Sequence, residues 1–254
     1  MFLDRMSLKK LRNIREANLT LHHKTNVIIG ENAAGKTTLL EAVDILSRGR
    51  SFRTNKTENL VCHGNNSFYV GATLGPDKKK LEIEKSKNRT KISINGKEEK
   101  KQSRLAQELA IQSIHPNSHS LIEGAPSERR AFLDWGLFHV EHEFRKEWSS
   151  YIKILRQRNE ALKSGGGDEK TWMEKLAVSG EIVSSLREKY VLGLEKSIIE
   201  TQKYLMPESE IIFYYEKGWG KDKSFMESLT EKRSLDMDRG YTSSGPQNAD
   251  IKIM

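Results

Sequence analysis

A single cysteine, Cys62, is all that this chain of 254 residues holds, so neither an internal disulfide nor a cysteine-built zinc site is available to it. No apolar run approaches the roughly 20 residues of a membrane span. The start, Met1-Phe2-Leu3-Asp4-Arg5, lacks the charged-then-apolar pattern of a secretory leader. A soluble, cytoplasmic protein is expected. Acidic residues are also in deficit, 35 against 43 Lys and Arg, for a net charge of +8. The deficit is local: from Lys78 to Arg104 eleven basic residues face only four acidic ones. Such a stretch, with Lys78, Lys79, Lys80, Lys100 and Lys101 as its densest points, suits a polyanion such as DNA. No aromatic residue is interleaved there to stack on bases, so lysines guarding strand edges remain the competing explanation.

The decisive presence is Gly30-Glu31-Asn32-Ala33-Ala34-Gly35-Lys36-Thr37, a complete G-x-x-x-x-G-K-T phosphate loop. It follows the apolar run Asn26-Val27-Ile28-Ile29 and precedes the helical pattern Leu39-Leu40-Ala42-Val43-Leu46. The motif needs all three parts. A strand delivers the chain into a turn, glycines let bare backbone approach a ligand, and helix N-terminal amides point at anionic oxygens. Lys36 is placed to reach β- and γ-phosphates, and the Thr37 hydroxyl to take magnesium, with Thr38 beside them. ATP and Mg²⁺ are the expected ligands.

Short strands are expected over residues 6–11, 17–21 and 27–29, then over 68–74, 81–85 and 90–94. Gly75-Pro76-Asp77 and Asn95-Gly96 mark hairpin turns. After Pro126 the pattern turns helical. Long helices over about 143–163 and 170–204 flank Gly165-Gly166-Gly167, as in an antiparallel helical hairpin. A strand over 211–215 and a polar helix near 223–235 follow. The expected class is α/β, with a phosphate-loop lobe over 1–125, a helical lobe over 126–237 and a segment over 238–254 returning to the first lobe.

Several blocks resemble the RecF family of DNA replication and repair proteins. They are Leu11-Arg12-Asn13, the phosphate loop with Leu39-Leu40-Glu41-Ala42, the run Gly49 to Thr54, the run Ser127 to Glu141, and Gly240-Tyr241-Thr242. The Ser127–Glu141 block is the most specific. The resemblance implies an ABC-ATPase-like head, in which two heads sandwich two ATP molecules and close on DNA at gaps or single-strand/double-strand junctions. It also implies partnership with RecO and RecR in loading recombinase, and the repair, recombination and SOS-response setting of that work. By position Arg12 and Asn13 match residues that approach the nucleotide, and Gln112 matches a γ-phosphate sensor.

The family pattern also carries a signature loop and an apolar strand ending in Asp-Glu (Walker B) after the Gly-Tyr-Thr segment. Neither is found before Met254, and Gly245-Pro246-Gln247-Asn248-Ala249-Asp250 departs from a Gly-Pro-His-Arg-Ala-Asp-like run. The hydrolytic base is therefore unassigned. A shortened, non-hydrolysing nucleotide-binding module and a small-molecule P-loop kinase stand as alternatives. Leu46-Ser47-Arg48-Gly49-Arg50 and Ile211 to Glu216 only mimic the missing elements. His139-x-x-His142 lacks the H-E-x-x-H order. Arg129 and Arg130 open a helix, where positive charge opposes the dipole, and are candidates for contacting DNA or a partner head.

Overall fold

The computed structural model describes residues 1–165 and 167–254, and the chain divides into two compact units, Met1–Ile114 and His115–Met254.

In the first unit, β1 (Phe2–Leu11), β2 (Ile14–Thr20), β3 (Ser67–Gly75), β4 (Lys79–Ser86), β5 (Thr90–Ile94) and β6 (Lys97–Glu99) form one antiparallel sheet. Its order is β2-β1-β3-β4-β5-β6. Alternation sets the register. Met6 and Leu8 on β1, Val70 and Ala72 on β3, and Leu81 and Ile83 on β4 share the inner face. Helix α1 (Lys36–Arg48) lays Ala42, Ile45 and Leu46 on the same core. Each fully buried large side chain contributes about 1.5–3 kcal/mol. Asn95 and Gly96 both take positive φ, the conformation that a tight Asn-Gly hairpin turn requires. Helix α2 (Ser103–Glu108) seals the unit with Leu105.

The sequence pattern predicts a strand at 27–29, but these residues join no ladder among the described residues, and Val27 and Ile29 are 77 % and 88 % exposed. An uninterrupted Val-Ile-Ile run suits a strand covered on both faces. No described strand flanks it.

In the second unit, α3 (Ser120–Glu123), α4 (Pro126–Val140), α5 (Phe144–Lys163), α6 (Glu169–Leu205), α7 (Phe225–Glu231) and α8 (Arg233–Arg239) surround a two-stranded ribbon of β7 (Phe213–Glu216) and β8 (Asp250–Ile253). Helices α5 and α6 are the expected pair, while the glycine turn between them includes Gly166, outside the described residues. The polar helix expected near 223–235 is two short helices. Ser224 caps α7 with a reciprocal bond to Glu227, and α8 ends at left-handed Gly240. The 238–254 segment contributes β8 to this second unit.

Candidate phosphate-loop site

The loop is built between β1–β2 and α1, all within the first unit. Ala33 and Gly35 take positive φ, 66° and 100°, which turns the backbone sharply into the helix. Glycine is favoured at 35 on two counts. A Cβ there would come within 3.2 Å of Ile14 Cγ1 and 3.4 Å of Asn13 Nδ2, and its conformation is one that side chains disfavour.

Asn13 staples the loop to its helix. Its Nδ2 donates to Ala33 O at 2.7 Å, and its Oδ1 accepts from Thr38 Oγ1 at 3.0 Å. Thr38 is buried by this contact, whereas Thr37 faces out. Lys36 Nζ donates to Gly30 O and Glu31 O, each at 2.7 Å. The ammonium is thus held over the loop carbonyls. Exposed Thr37, the lysine so placed and a Cβ-free Gly35 fit a triphosphate with its divalent cation.

Arg12, expected near the nucleotide, reaches from the β1–β2 turn to α1. Its guanidinium pairs with both oxygens of Glu41, Nη2 to Oε1 at 2.7 Å. Ser51 Oγ donates to the same carboxylate. Glu41 is fully buried, and a buried carboxylate without its partners would be costly. Arg12 therefore locks the β1–β2 turn to the loop helix. Glu41 and Ser51 stand in the family-like blocks of the sequence, but nothing there shows that they meet Arg12. The available signal was a pair of carboxylates, Glu41 and Asp44, on the apolar face of α1.

Gln112 is exposed on an extended segment tied to α1, where Ser47 Oγ donates to Leu109 O at 2.6 Å and Ser113 Oγ reaches Asp44 Oδ1 at 3.5 Å. Asp44 lies eight residues past Lys36, about 12 Å along the helix axis. From Leu109 beside Ser47 to Ser113 beside Asp44 the segment runs back along α1 toward the loop.

The other expected residues scatter. Lys78 pairs with Asp4 at 3.0 Å and Lys79 with Glu108, while Lys80, Lys100 and Lys101 are exposed. In the second unit Arg129 grips Asp250 with two bonds, 2.7 and 3.0 Å, and donates to Gly124 O. Burial would raise the Asp250 carboxyl, but the bonds from Arg129 and the Ile251 amide hold it below its usual value. Arg130 donates to Ala249 O at 2.8 Å. Both arginines are thus engaged by β8 and the residue before it. Asp250 accounts for Arg129, while Arg130 is held by Ala249 O and lies in the field of both Asp250 and Asp134.

The mimics resolve simply. Arg48 and Gly49 end α1, with Gly49 in the left-handed region donating to Ile45 O. Glu216 stands opposite Asp250 in the ribbon and meets Lys252 at 3.5 Å. His139 lies edge-on to Trp135.

Comparison with known proteins agrees with this geometry. The AAA ATPase domain family matches residues 1–232. DNA replication and repair protein RecF of Pectobacterium atrosepticum is 36 % identical over 258 residues, spanning all of this chain and 72 % of the relative. The chain belongs to the RecF family. RecF of Psychromonas ingrahamii is 38 % identical, again over all of this chain and 72 % of the relative. A solved structure of the recombination mediator protein RecF with ATP, from the RecFOR pathway, superposes with a TM-score of 0.90 at 28 % identity. That match covers all of this chain and 73 % of the other. The architecture is the ABC-ATPase-like α/β fold that the RecF motifs implied.

Proposed function

We propose that this RecF-family chain binds ATP with Mg²⁺ at residues 30–38 and binds DNA, acting in recombinational repair and replication. The loop stapled by Asn13 and backed by Arg12–Glu41 carries the reading. A preset loop spends little ordering entropy on a ligand. Lys36 would leave its two carbonyls for the β/γ-phosphates, the amides opening α1 would face phosphate oxygens, and Thr37 would hold the cation. The bound cation would supply neutralisation of phosphate charge. Gln112 is the proposed γ-phosphate sensor.

By family likeness, the DNA is a gap or single-strand/double-strand junction, and the partners are RecO, RecR and a second ATP-bound copy. ATP would act chiefly by joining two heads. The boundaries 1–125, 126–237 and 238–254 remain our proposed division of labour between nucleotide and helical lobes.

Titration calorimetry of the full chain with Mg-ATP tests the site. Lys36→Ala is expected to weaken binding about 10- to 100-fold, since a hydrogen bond to a charged group is worth about 1.5–3 kcal/mol. Equal affinity in the variant would overturn the site. Turnover sensitive to Lys36→Ala would extend the function from binding to hydrolysis.

A further inference from the structure

The basic surplus of the first unit is gathered at one end of its sheet, and that end is not the one with the sequence run Lys78-Lys79-Lys80. Strand register decides this. Ser67 on β3 pairs with Ser86 on β4, and Lys85 pairs with Thr90 on β5. The β4–β5 turn therefore lies at the end where β3 begins. The β1–β2 turn shares that end, since Lys9 pairs with Tyr69 near the start of β3. The loop over 49–63 is held between them. Leu11 bridges to Val61, Arg12 N donates to Leu60 O, and Cys62 N donates to Lys10 O. On its other flank Lys87 meets Glu58 at 3.6 Å and Lys85 Nζ donates to Gly49 O.

Charge is one-sided along these three segments. From Lys9 to Glu16 four basic residues stand against one acidic; from Arg50 to His63 three stand against one; from Lys85 to Lys91 four stand against none. Of these, Arg12 is neutralised by Glu41. Lys10, Arg15, Arg53, Lys56 and Arg89 are exposed and have no ion-pair partner among the described residues. At the opposite end, about 23 Å away along β4 at 3.3 Å per residue, Lys78 pairs with Asp4 and Lys79 with Glu108, while Lys80 and Lys97 are exposed with no ion pair among the described residues. Two of these lysines are ion-paired, and with Asp77 and Glu98 next to Lys78 and Lys97 in sequence the charge here is balanced rather than one-sided. The same end as the surplus holds Asn13, so it borders the phosphate loop.

We infer that the end of the sheet formed by the β1–β2 turn, the 49–63 loop and the β4–β5 turn is the surface that takes the phosphate backbone of DNA. This rests on the DNA-binding reading above and locates it. Exposed, unpaired cations on three neighbouring segments release counterions when they meet a regular row of phosphates, whereas already paired lysines gain little. Phe52 on the 49–63 loop is half-buried and the exposed groups named above are cations, so the surface should follow backbone more than base identity.

The test measures fluorescence anisotropy of a labelled gapped duplex with the full chain across a salt series. The triple variant Lys10→Gln/Arg15→Gln/Arg89→Gln is compared with Lys78→Gln/Lys80→Gln. The first should lose about three units of the log-affinity against log-salt slope, about one per phosphate contact. The second should keep the wild-type slope within about one unit. Circular dichroism checks that both variants fold. If the Lys78/Lys80 variant loses the slope and the triple variant retains it, the surface is misplaced although DNA binding stands. If the wild-type chain shows no salt-dependent binding, the DNA reading itself fails and the surface with it.

Discussion

The two units keep their charges in opposite ways. In the first, the largest fully buried side chains are Phe68, Leu8, Leu11, Ile45 and their apolar neighbours, and the buried charges are two small carboxylates on α1, Glu41 and Asp44, met by half-buried Arg12 and Arg48. In the second, the largest are two arginines. Arg158 holds Glu169 and Asp236, both wholly buried, and donates to Thr242. Arg187 forks onto Asp134, donates to Pro246 O and lies over the Trp148 ring at 4.6 Å. A sheet gets its register from period-two alternation and hairpin turns. Long helices with apolar stripes can rotate and slide. Buried ion pairs fix one arrangement among many, at a cost in stability that an apolar core avoids. Our reading is that unit one is specified by pattern and unit two by paired charge.

The largest expected effect breaks that contrast directly. Arg158→Met leaves Glu169 and Asp236 buried without their shared cation and should cost about 3–5 kcal/mol. All four tryptophans (135, 148, 172 and 219) belong to the second unit, so their emission reports on it alone. Urea unfolding followed by this emission should show a much lower midpoint. Leu81→Ala in the first core should cost about 2–5 kcal/mol and lower the circular-dichroism transition while leaving tryptophan emission in place. One shared transition for both variants would show that the units unfold together.

Next in size is the acid response of the second unit. The Asp250 carboxyl sits below its usual 3.8 in the folded state, because the bonds from Arg129 and the Ile251 amide outweigh burial. Its contribution is therefore present above about pH 4 and fades as pH falls through the lowered value. Asp134 has the opposite sign. Burial outweighs Arg187 and lifts its carboxyl, so its contribution is present at low pH and fades as pH rises through the raised value. Asp250→Asn should flatten the loss of stability below pH 4, and Asp134→Asn should not. Equal profiles for the two variants would mean that neither pair governs acid unfolding.

Legibility followed the range of the interactions. The phosphate loop, the Asn95-Gly96 turn and the alternation of β1, β3 and β4 are local, and the sequence displays them. The Arg129–Asp250 pair spans 121 positions, and no helical spacing hints at it. Charge was legible in amount but not in place. The eleven cations from Lys78 to Arg104 read as one patch, yet the β4 strand carries Lys79 to one end of the sheet and Lys85 to the other. Arg12 was legible as a residue of the loop's neighbourhood. Its partner Glu41 was hidden because a helix position says which face a residue shares, not which strand turn meets that face.

The smallest expected effect concerns a segment where pattern misled. Val27-Ile28-Ile29 carries a strong strand signature, and its side chains are exposed. Were it part of the first core, replacing both ends with threonine would remove buried apolar surface and cost several kcal/mol, since Val-to-Thr is not a neutral exchange in a core. As it stands, Val27→Thr/Ile29→Thr should change stability by no more than about 0.5 kcal/mol, the range of surface substitutions. The same variant should bind less of an apolar dye and aggregate less, because an exposed apolar patch beside open backbone invites association. Circular-dichroism melts and dye binding on the full chain decide it. A drop of several kcal/mol would place the segment inside the first core, and the contrast between a pattern-built and a charge-built unit would then extend to the strand that leads into the phosphate loop.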